Sequence, residues 1–194
     1  MIIGITGGTG CGKTTLLEHI RQAGGTVIDC DRVYHALLAH DAELRNAIAA
    51  RFPTAVQNGA VQTKVLGKIV FEDADALREL NAITHSAVKK EVLAQLSEKP
   101  TLAAIDAIAL FESGLASLCD VTVAVTAPEQ MRAARIMARD GVSQEYALQR
   151  IHAQPPQAYY IERCTYHLEN DTTAEEFSQK CITFLHQLGI INQT

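Results

Sequence analysis

Eight residues near the start of the chain, Gly7-Gly8-Thr9-Gly10-Cys11-Gly12-Lys13-Thr14, keep the spacing G-x-x-x-x-G-K-[ST]. Residues of these types at this spacing do phosphate chemistry. Glycines let successive backbone N–H groups turn toward the β-phosphate of a nucleotide, and a helix starting at the loop adds partial positive charge. Lys13 is long enough to bridge the β- and γ-phosphates, and Thr14 offers its hydroxyl to Mg²⁺. The bland alternative is a glycine-rich turn between strand and helix that holds no ligand.

Carboxylates supply a second possible chemistry. Asp29 and Asp31 are two residues apart, so a strand running through both would point both carboxylates to one face at its carboxyl edge. There, one of them could deprotonate an acceptor hydroxyl or hold water on a metal ion. The alternative is a helix cap, with Asp31 the expected capping residue. Asp106 ends the apolar run Leu102-Ala103-Ala104-Ile105, the arrangement of a carboxylate that stands near Mg²⁺, or again of a cap. Arg132, Arg135 and Arg139 are spaced three and four apart and share one face of a helix, with Arg150 on the next. Guanidiniums fork onto phosphate oxygens, so these residues suit a lid over a polyphosphate; the alternative is a solvated face paired with Glu129, Asp140 or Glu145.

The elements that must position these groups follow from periodicity and punctuation. Ile2, Ile3 and Ile5 make a strand apolar on both faces that ends at the glycines, and a helix is expected over residues 12–23. Gly24-Gly25 breaks it, and Thr26-Val27-Ile28-Asp29 reads as a second strand. Strand, helix, strand implies parallel pairing. Residues 31–99 read as helices interrupted by a turn at 53–59, without a convincing strand. Strands resume at 101–106 and 121–126, helices at 128–139 and 143–153, then a loop at Pro155-Pro156, a short strand at 165–168 and a last helix from Thr173. The fold expected is α/β, a P-loop NTPase fold with a parallel five-stranded sheet flanked by helices, a helical insert and a small helical lid. Residues 1–30, 100–126 and 163–194 would form the core, 31–99 the insert and 127–162 the lid.

Composition narrows the class. The chain has 194 residues, 47% hydrophobic and 20% charged, the usage of a globular domain with a real core. Seventeen basic against 22 acidic residues give a net charge of -5, which offers no broad positive field to a nucleic acid. A small anionic substrate remains compatible, because it needs only local cations and N–H groups. Cys11, Cys30, Cys119, Cys164 and Cys181 are scattered without a C-x-x-C pair, against a disulfide framework or zinc site. His19, His40, His152, His167 and His186 show no ligand spacing. Cys11 sits at a helix start, where a thiolate can be reactive, or is simply a small residue whose N–H matters. With no leader-like segment and no run of 18 apolar residues, a cytoplasmic location without membrane contact is expected.

These pieces together resemble dephospho-CoA kinases along almost the whole chain. Gly4-Ile5-Thr6-Gly7-Gly8-Thr9-Gly10-Cys11-Gly12-Lys13-Thr14-Thr15 is similar to the family's opening, and Val27-Ile28-Asp29-Cys30-Asp31 to its second-strand signature. Leu80-Asn81-Ala82-Ile83-Thr84-His85 resembles its L-N-x-I-x-H, and Leu110-Phe111-Glu112 the end of P-L-L-F-E; Arg135, Arg139-Asp140, Arg150-Ile151, Gln154 and Asn170 fall where the family's lid and closing strand carry such residues. The resemblance implies transfer of the γ-phosphoryl group of ATP, with Mg²⁺, to the ribose 3′-hydroxyl of dephospho-CoA by a monomer or small homo-oligomer. It makes Asp31 the base and has Lys13 and Arg139 balance charge on the transferring group. Gly8, Thr9, Gly10, Cys11, Gly12, Lys13, Thr14, Thr15, Arg135 and Asn170 fall on the ATP side. Asp29, Asp31, Lys64, His85 and Glu112 fall on the acceptor side, and Thr14 and Asp106 beside the metal. The chain departs from the pattern at His35, where arginine is common, at Gln62-Thr63-Lys64, where an Asp-Arg pair is expected, at Ser86 after His85, where proline is usual, and at Asp106-Ala107-Ile108-Ala109. Lys64 would hold a phosphate as a point charge, without the bidentate fork of arginine. Other small-molecule or nucleoside kinases share the first motif, whereas a guanine-nucleotide switch would need an N-K-x-D motif that the sequence lacks.

Overall fold

The run Ile2-Ile3-Gly4-Ile5-Thr6 has apolar groups on both sides of the pleat, and it forms the buried centre of a sheet, with Ile3 and Ile5 wholly inaccessible. The computed structural model describes residues 1–191. In chain order the elements are β1 (Ile2–Thr6), α1 (Lys13–Gln22), β2 (Thr26–Asp29), α2 (Cys30–His40), α3 (Ala42–Arg51), β3 (Val56–Gln57), β4 (Ala60–Val61), α4 (Thr63–Glu72) and α5 (Ala74–Leu96). They continue with β5 (Ala103–Asp106), β6 (Val121–Thr126), α6 (Glu129–Asp140), α7 (Gln144–His152), α8 (Gln157–Arg163), β7 (Tyr166–Glu169) and α9 (Ala174–Gln187). The chain divides into two compact units, Met1–Ile28 with the chain from Pro100 onward, and Asp29–Lys99.

In the first unit the sheet runs β2-β5-β1-β6-β7, all parallel. Registers Ile5↔Asp106, Thr6↔Ala124 and Thr126↔Glu169 bring the carboxyl ends of β1, β5, β6 and β7 to one edge. In open parallel sheets that edge is where ligands sit. Behind it, α1 buries Leu16, Leu17 and Ile20 against the sheet, and α9 adds Phe177, Cys181, Phe184 and Leu185 to the same core. A reciprocal capping box between Thr173 and Glu176 starts α9 where the sequence places it. A separate apolar cluster, Ala133, Ile136, Ala147 and Ile151, holds α6 against α7.

In the sheet unit the structure differs from the sequence expectation in detail. β5 begins at Ala103 rather than residue 101, and a further helix, α8, follows Pro155-Pro156. Pro156 supplies its start, since a proline just before the first turn forfeits no helical hydrogen bond.

The second unit is helical with a small ribbon. Asp73 caps α5 through Asp75 and Ala76, and Ala76, Leu80, Thr84, Val88 and Val92 recur every fourth residue to make its buried stripe. Leu44, Ile48, Phe52, Ala55, Leu66, Ala76 and Leu80 form this unit's own core. The turn expected at 53–59 holds β3, and β4 follows it at Ala60–Val61; the two pair antiparallel, two residues each, where no strand was expected. Two residues are too few for a period of two to register in sequence.

Candidate active site

The loop joining β1 to α1 is the N-terminal cap of a helix whose first N–H groups have no intrahelical acceptor. Gly12 is the cap, left-handed at φ 95°, and a Cβ there would stand 2.2 Å from Nδ2 of Asn170. Both conditions exclude a side chain. Lys13 donates from Nζ to the carbonyl of Gly7 at 2.9 Å and lies 3.9 Å from Oδ1 of Asp106, both side chains being largely shielded. No helix starts directly after Asp106, so its place beside Lys13 is not that of a cap. Thr14 is exposed at the start of α1.

Around the loop, side chains from three later segments engage its backbone. Nε of Arg132 donates to the carbonyl of Thr9 at 2.9 Å, Nη1 of Arg135 to that of Gly10 at 3.3 Å, and Nδ2 of Asn170 to that of Cys11 at 3.0 Å. Arg135 also donates from Nη2 to Oδ1 of Asn170 at 3.0 Å. The N–H of Thr9 donates to Oε1 of Gln154 at 2.8 Å, an oxygen shared with Nη2 of Arg132 at 3.2 Å. Three successive carbonyls are therefore drawn away from the loop's interior. Peptide planes are rigid, so a carbonyl pulled outward turns the following N–H inward, the arrangement of an anion nest.

Arg135 and Asn170, expected beside ATP, are both found on loop carbonyls. Arg132, expected only as one of the arginines of a lid, and Gln154, expected only as a family position, carry equal weight in this arrangement, both on Thr9. The signal for Arg132 was present in the three-residue spacing to Arg135, which puts both on one helix face. Cys11 is buried, 1% exposed, which favours its backbone over its thiol as the working part.

Arg139 has a different partner. Its Nε and Nη2 fork onto Oδ1 and Oδ2 of Asp140 at 2.7 and 2.9 Å, and Arg150 donates from Nη1 to Oδ2 at 2.6 Å. The hydrogen bond from Arg139 first, then that from Arg150, holds the Asp140 carboxyl well below the usual carboxylate range. The same bond pushes the Arg139 guanidinium up. The arginine expected to meet the transferring phosphoryl group is held by its neighbour in this structure.

The paired-acid expectation is corrected by where the strand stops. β2 ends at Asp29, which caps α2 by accepting from the N–H of Arg32 at 3.0 Å; Asp31 lies in the first turn of that helix, exposed. The two carboxylates do not share a strand face, and the cap is Asp29 rather than Asp31. Lys64, exposed in the first turn of α4, and His85, half-buried on α5, belong with Asp31 to the helical unit. Glu112 belongs to the sheet unit; burial first, and the nearby Glu112 second, push the Tyr159 phenol up.

Among the described residues no cluster of three His, Cys, Asp or Glu side chains forms a metal cage. Mg²⁺ bound with a nucleotide does not need one: it takes one or two protein oxygens and completes its shell with water and phosphate. The exposed hydroxyl of Thr14 and the carboxylate of Asp106 beside Lys13 are oxygen donors of that kind, so the residues fit such an ion.

With this geometry in place, comparison with known proteins is specific. The dephospho-CoA kinase family model matches residues 1–176. The dephospho-CoA kinase of Latilactobacillus sakei is 32% identical over 188 residues, covering 94% of this chain and 93% of that protein. The crystal structure of TT1252 from Thermus thermophilus superposes with a TM-score of 0.84 at 33% identity, covering 97% of each chain. The dephospho-CoA kinase of Campylobacter jejuni, 24% identical and covering 96% of each chain, gives a TM-score of 0.66 and shares the fold, that of P-loop kinases. Among the described residues no helix is long and apolar enough to cross a membrane. The chain belongs to the dephospho-CoA kinase family.

Proposed function

We infer that the protein transfers the γ-phosphoryl group of ATP to the ribose 3′-hydroxyl of dephospho-CoA, giving CoA and ADP. The observation that carries this reading is the family match across residues 1–176 on a chain whose phosphate loop sets Lys13 beside Asp106.

The roles follow from the chemistry each group can perform. The N–H groups from Gly10 through Thr15 cradle the β- and γ-phosphates, and Gly8 and Thr9 shape the approach to them. Lys13 meets the charge that grows on the β–γ bridging oxygen as its bond to the γ-phosphorus breaks. Asp31 accepts the proton of the 3′-hydroxyl as its oxygen bonds to that phosphorus. Thr14 and Asp106 would hold Mg²⁺, which supplies charge neutralisation on the β- and γ-oxygens. Arg139, exchanged from Asp140 onto the transferring group, adds a second cation and helps exclude water. Asp29 fixes the start of α2 and with it the placement of Asp31. Lys64, His85 and Glu112 face the acceptor, residues 31–99 acting as the acceptor domain and 127–162 as a lid.

A small anionic acceptor remains compatible with the net charge of -5 because it needs only local cations and N–H groups, and the five free thiols suit a reducing, cytoplasmic setting. Neither nucleic acid nor a membrane is needed, and a monomer or small homo-oligomer suffices. The test is ATP turnover by the purified protein with Mg²⁺, with and without dephospho-CoA, read as CoA and ADP formed. Stoichiometric CoA is expected; ATP turnover that dephospho-CoA neither accelerates nor converts to CoA would defeat the acceptor assignment.

A further inference from the structure

Arg132 is an arginine with 4% of its surface exposed, and it makes no ion pair among the described residues. Burying a guanidinium that way is costly unless its donors are satisfied. Its partners are neutral: the carbonyl of Thr9 and Oε1 of Gln154. Gln154 in turn takes the N–H of the same Thr9. One residue of the phosphate loop is thus held by both of its backbone polar groups, from the end of the α6–α7 pair.

Gly8 provides an independent observation. Its φ is not in the left-handed region, so its backbone would accept an L side chain. What excludes one is space: a Cβ would stand 2.2 Å from Nη2 and 2.8 Å from Cζ of Arg132, and 2.9 Å from Oε1 of Gln154. All three are side-chain atoms. The usual reason for glycine in such a loop is room for the ligand or freedom of φ; here it is room for the clamp.

We propose that Arg132 and Gln154 are positioning residues that hold the Thr9 peptide from outside, and that Gly8 lacks a side chain in order to admit them. The inference rests on the nucleotide-binding reading of the loop and not on the acceptor. Its consequence is that the loop's affinity for nucleotide is set partly by the seating of α6 and α7. Lysine cannot replace arginine here, because one ammonium on a flexible stem does not hold the carbonyl of Thr9 and Oε1 of Gln154 in a fixed fork.

The experiment is a double-mutant cycle on the full chain, with affinity for Mg·ADP measured by calorimetry and kinetics measured alongside. Arg132→Ala should weaken Mg·ADP binding about tenfold, the worth of a charged donor's hydrogen bond. KM for ATP should rise with it while KM for the acceptor stays put, and Arg132→Lys should recover only part of the loss. Gly8→Ala should weaken binding comparably in the wild type but by no more than about twofold in the Arg132→Ala background, since the clash is already gone. Losses that multiply would assign Gly8 to the ligand and overturn the proposal, as would equal ADP affinity in wild type and Arg132→Ala. If Arg132→Ala proves too unstable, Gln154→Ala removes the half-buried side of the clamp and is judged on the same affinity. Wild-type protein that binds ADP but forms no CoA defeats the acceptor assignment alone and leaves the clamp to these affinities.

Discussion

The phosphate loop and the start of α2 both carry residues assigned to catalysis, yet they are built in opposite ways. Every loop peptide from Thr9 to Cys11 is tied by a side chain from elsewhere in its unit, and Lys13 is tied to Gly7. In the helical unit the side chains of Asp31 and Lys64 are exposed, and among the described residues they make no hydrogen bond or ion pair; the order around them comes from an apolar core and from the cap at Asp29. A nucleotide meets a site whose geometry is already fixed, which lowers the entropy lost on binding. On the roles proposed for Asp31 and Lys64, an acceptor would meet groups whose hydrogen-bonding capacity is still open. The contrast is between a preorganised loop and an exposed, unengaged helix edge.

The largest effect that would sharpen the contrast is at Asp31. Asp31→Asn keeps shape and removes the proposed base, so kcat should fall by about 10²–10⁴-fold, while Mg·ADP affinity and the unfolding midpoint stay at wild-type values; a parallel loss of nucleotide affinity would break the separation. Lys13→Ala should cost about 10²–10³-fold in kcat and, unlike Asp31→Asn, also weaken ATP binding. Ile48→Ala tests the other half of the comparison. Ile48 is 0% exposed in the helical core, and truncation there should cost about 2–5 kcal/mol in denaturant unfolding. Nucleotide affinity measured well below the transition should be unchanged, because the side chains described as holding the loop carbonyls belong to the other unit. If it falls with stability, the two units do not bear their functions independently.

How much of this was legible in sequence follows the same division. The phosphate loop was readable because its spacing is dictated by backbone geometry: a strand end, a left-handed cap at Gly12 and a helix start leave few solutions. The strands at 2–6, 26–29 and 121–126 were readable as apolar runs bounded by turns. The side Asp29 and Asp31 would face was not, because the rule that alternate residues share a face holds only while the strand lasts. It stops two residues earlier than that reading needs, at Asp29 instead of Asp31, and Asp29, at the junction, satisfies an orphan N–H of the helix. Nor was the role of Arg132 legible: a three-residue spacing places it on a face but does not say that the face meets loop carbonyls. Gln154, matched in sequence only as a family position, required the fold to bring it to Thr9 from 145 residues away.

The smallest effect concerns Arg139, which lies between the two behaviours: it belongs to the sheet unit but is not tied to the loop. Asp140 holds it with both carboxylate oxygens and holds Arg150 besides. If Arg139 must leave Asp140 to reach the transferring group, Asp140→Asn removes a competitor, and kcat/KM for ATP should rise about twofold to fivefold, the scale of an exposed ion pair. The gain should shrink with added salt, which screens the pair in the wild type. It should also be flat with pH. The carboxyl's folded pKa is lowered, so whatever the cluster adds to stability is complete above the unfolded carboxylate value of about 4 and is lost only as pH falls through the lower folded value. Between about pH 6 and 9 Asp140 stays ionised, and the ratio of variant to wild type should hold steady. A fall in activity on Asp140→Asn would mean instead that the carboxylate aims Arg139 during catalysis, making this arginine as preorganised as the loop and erasing the difference between them.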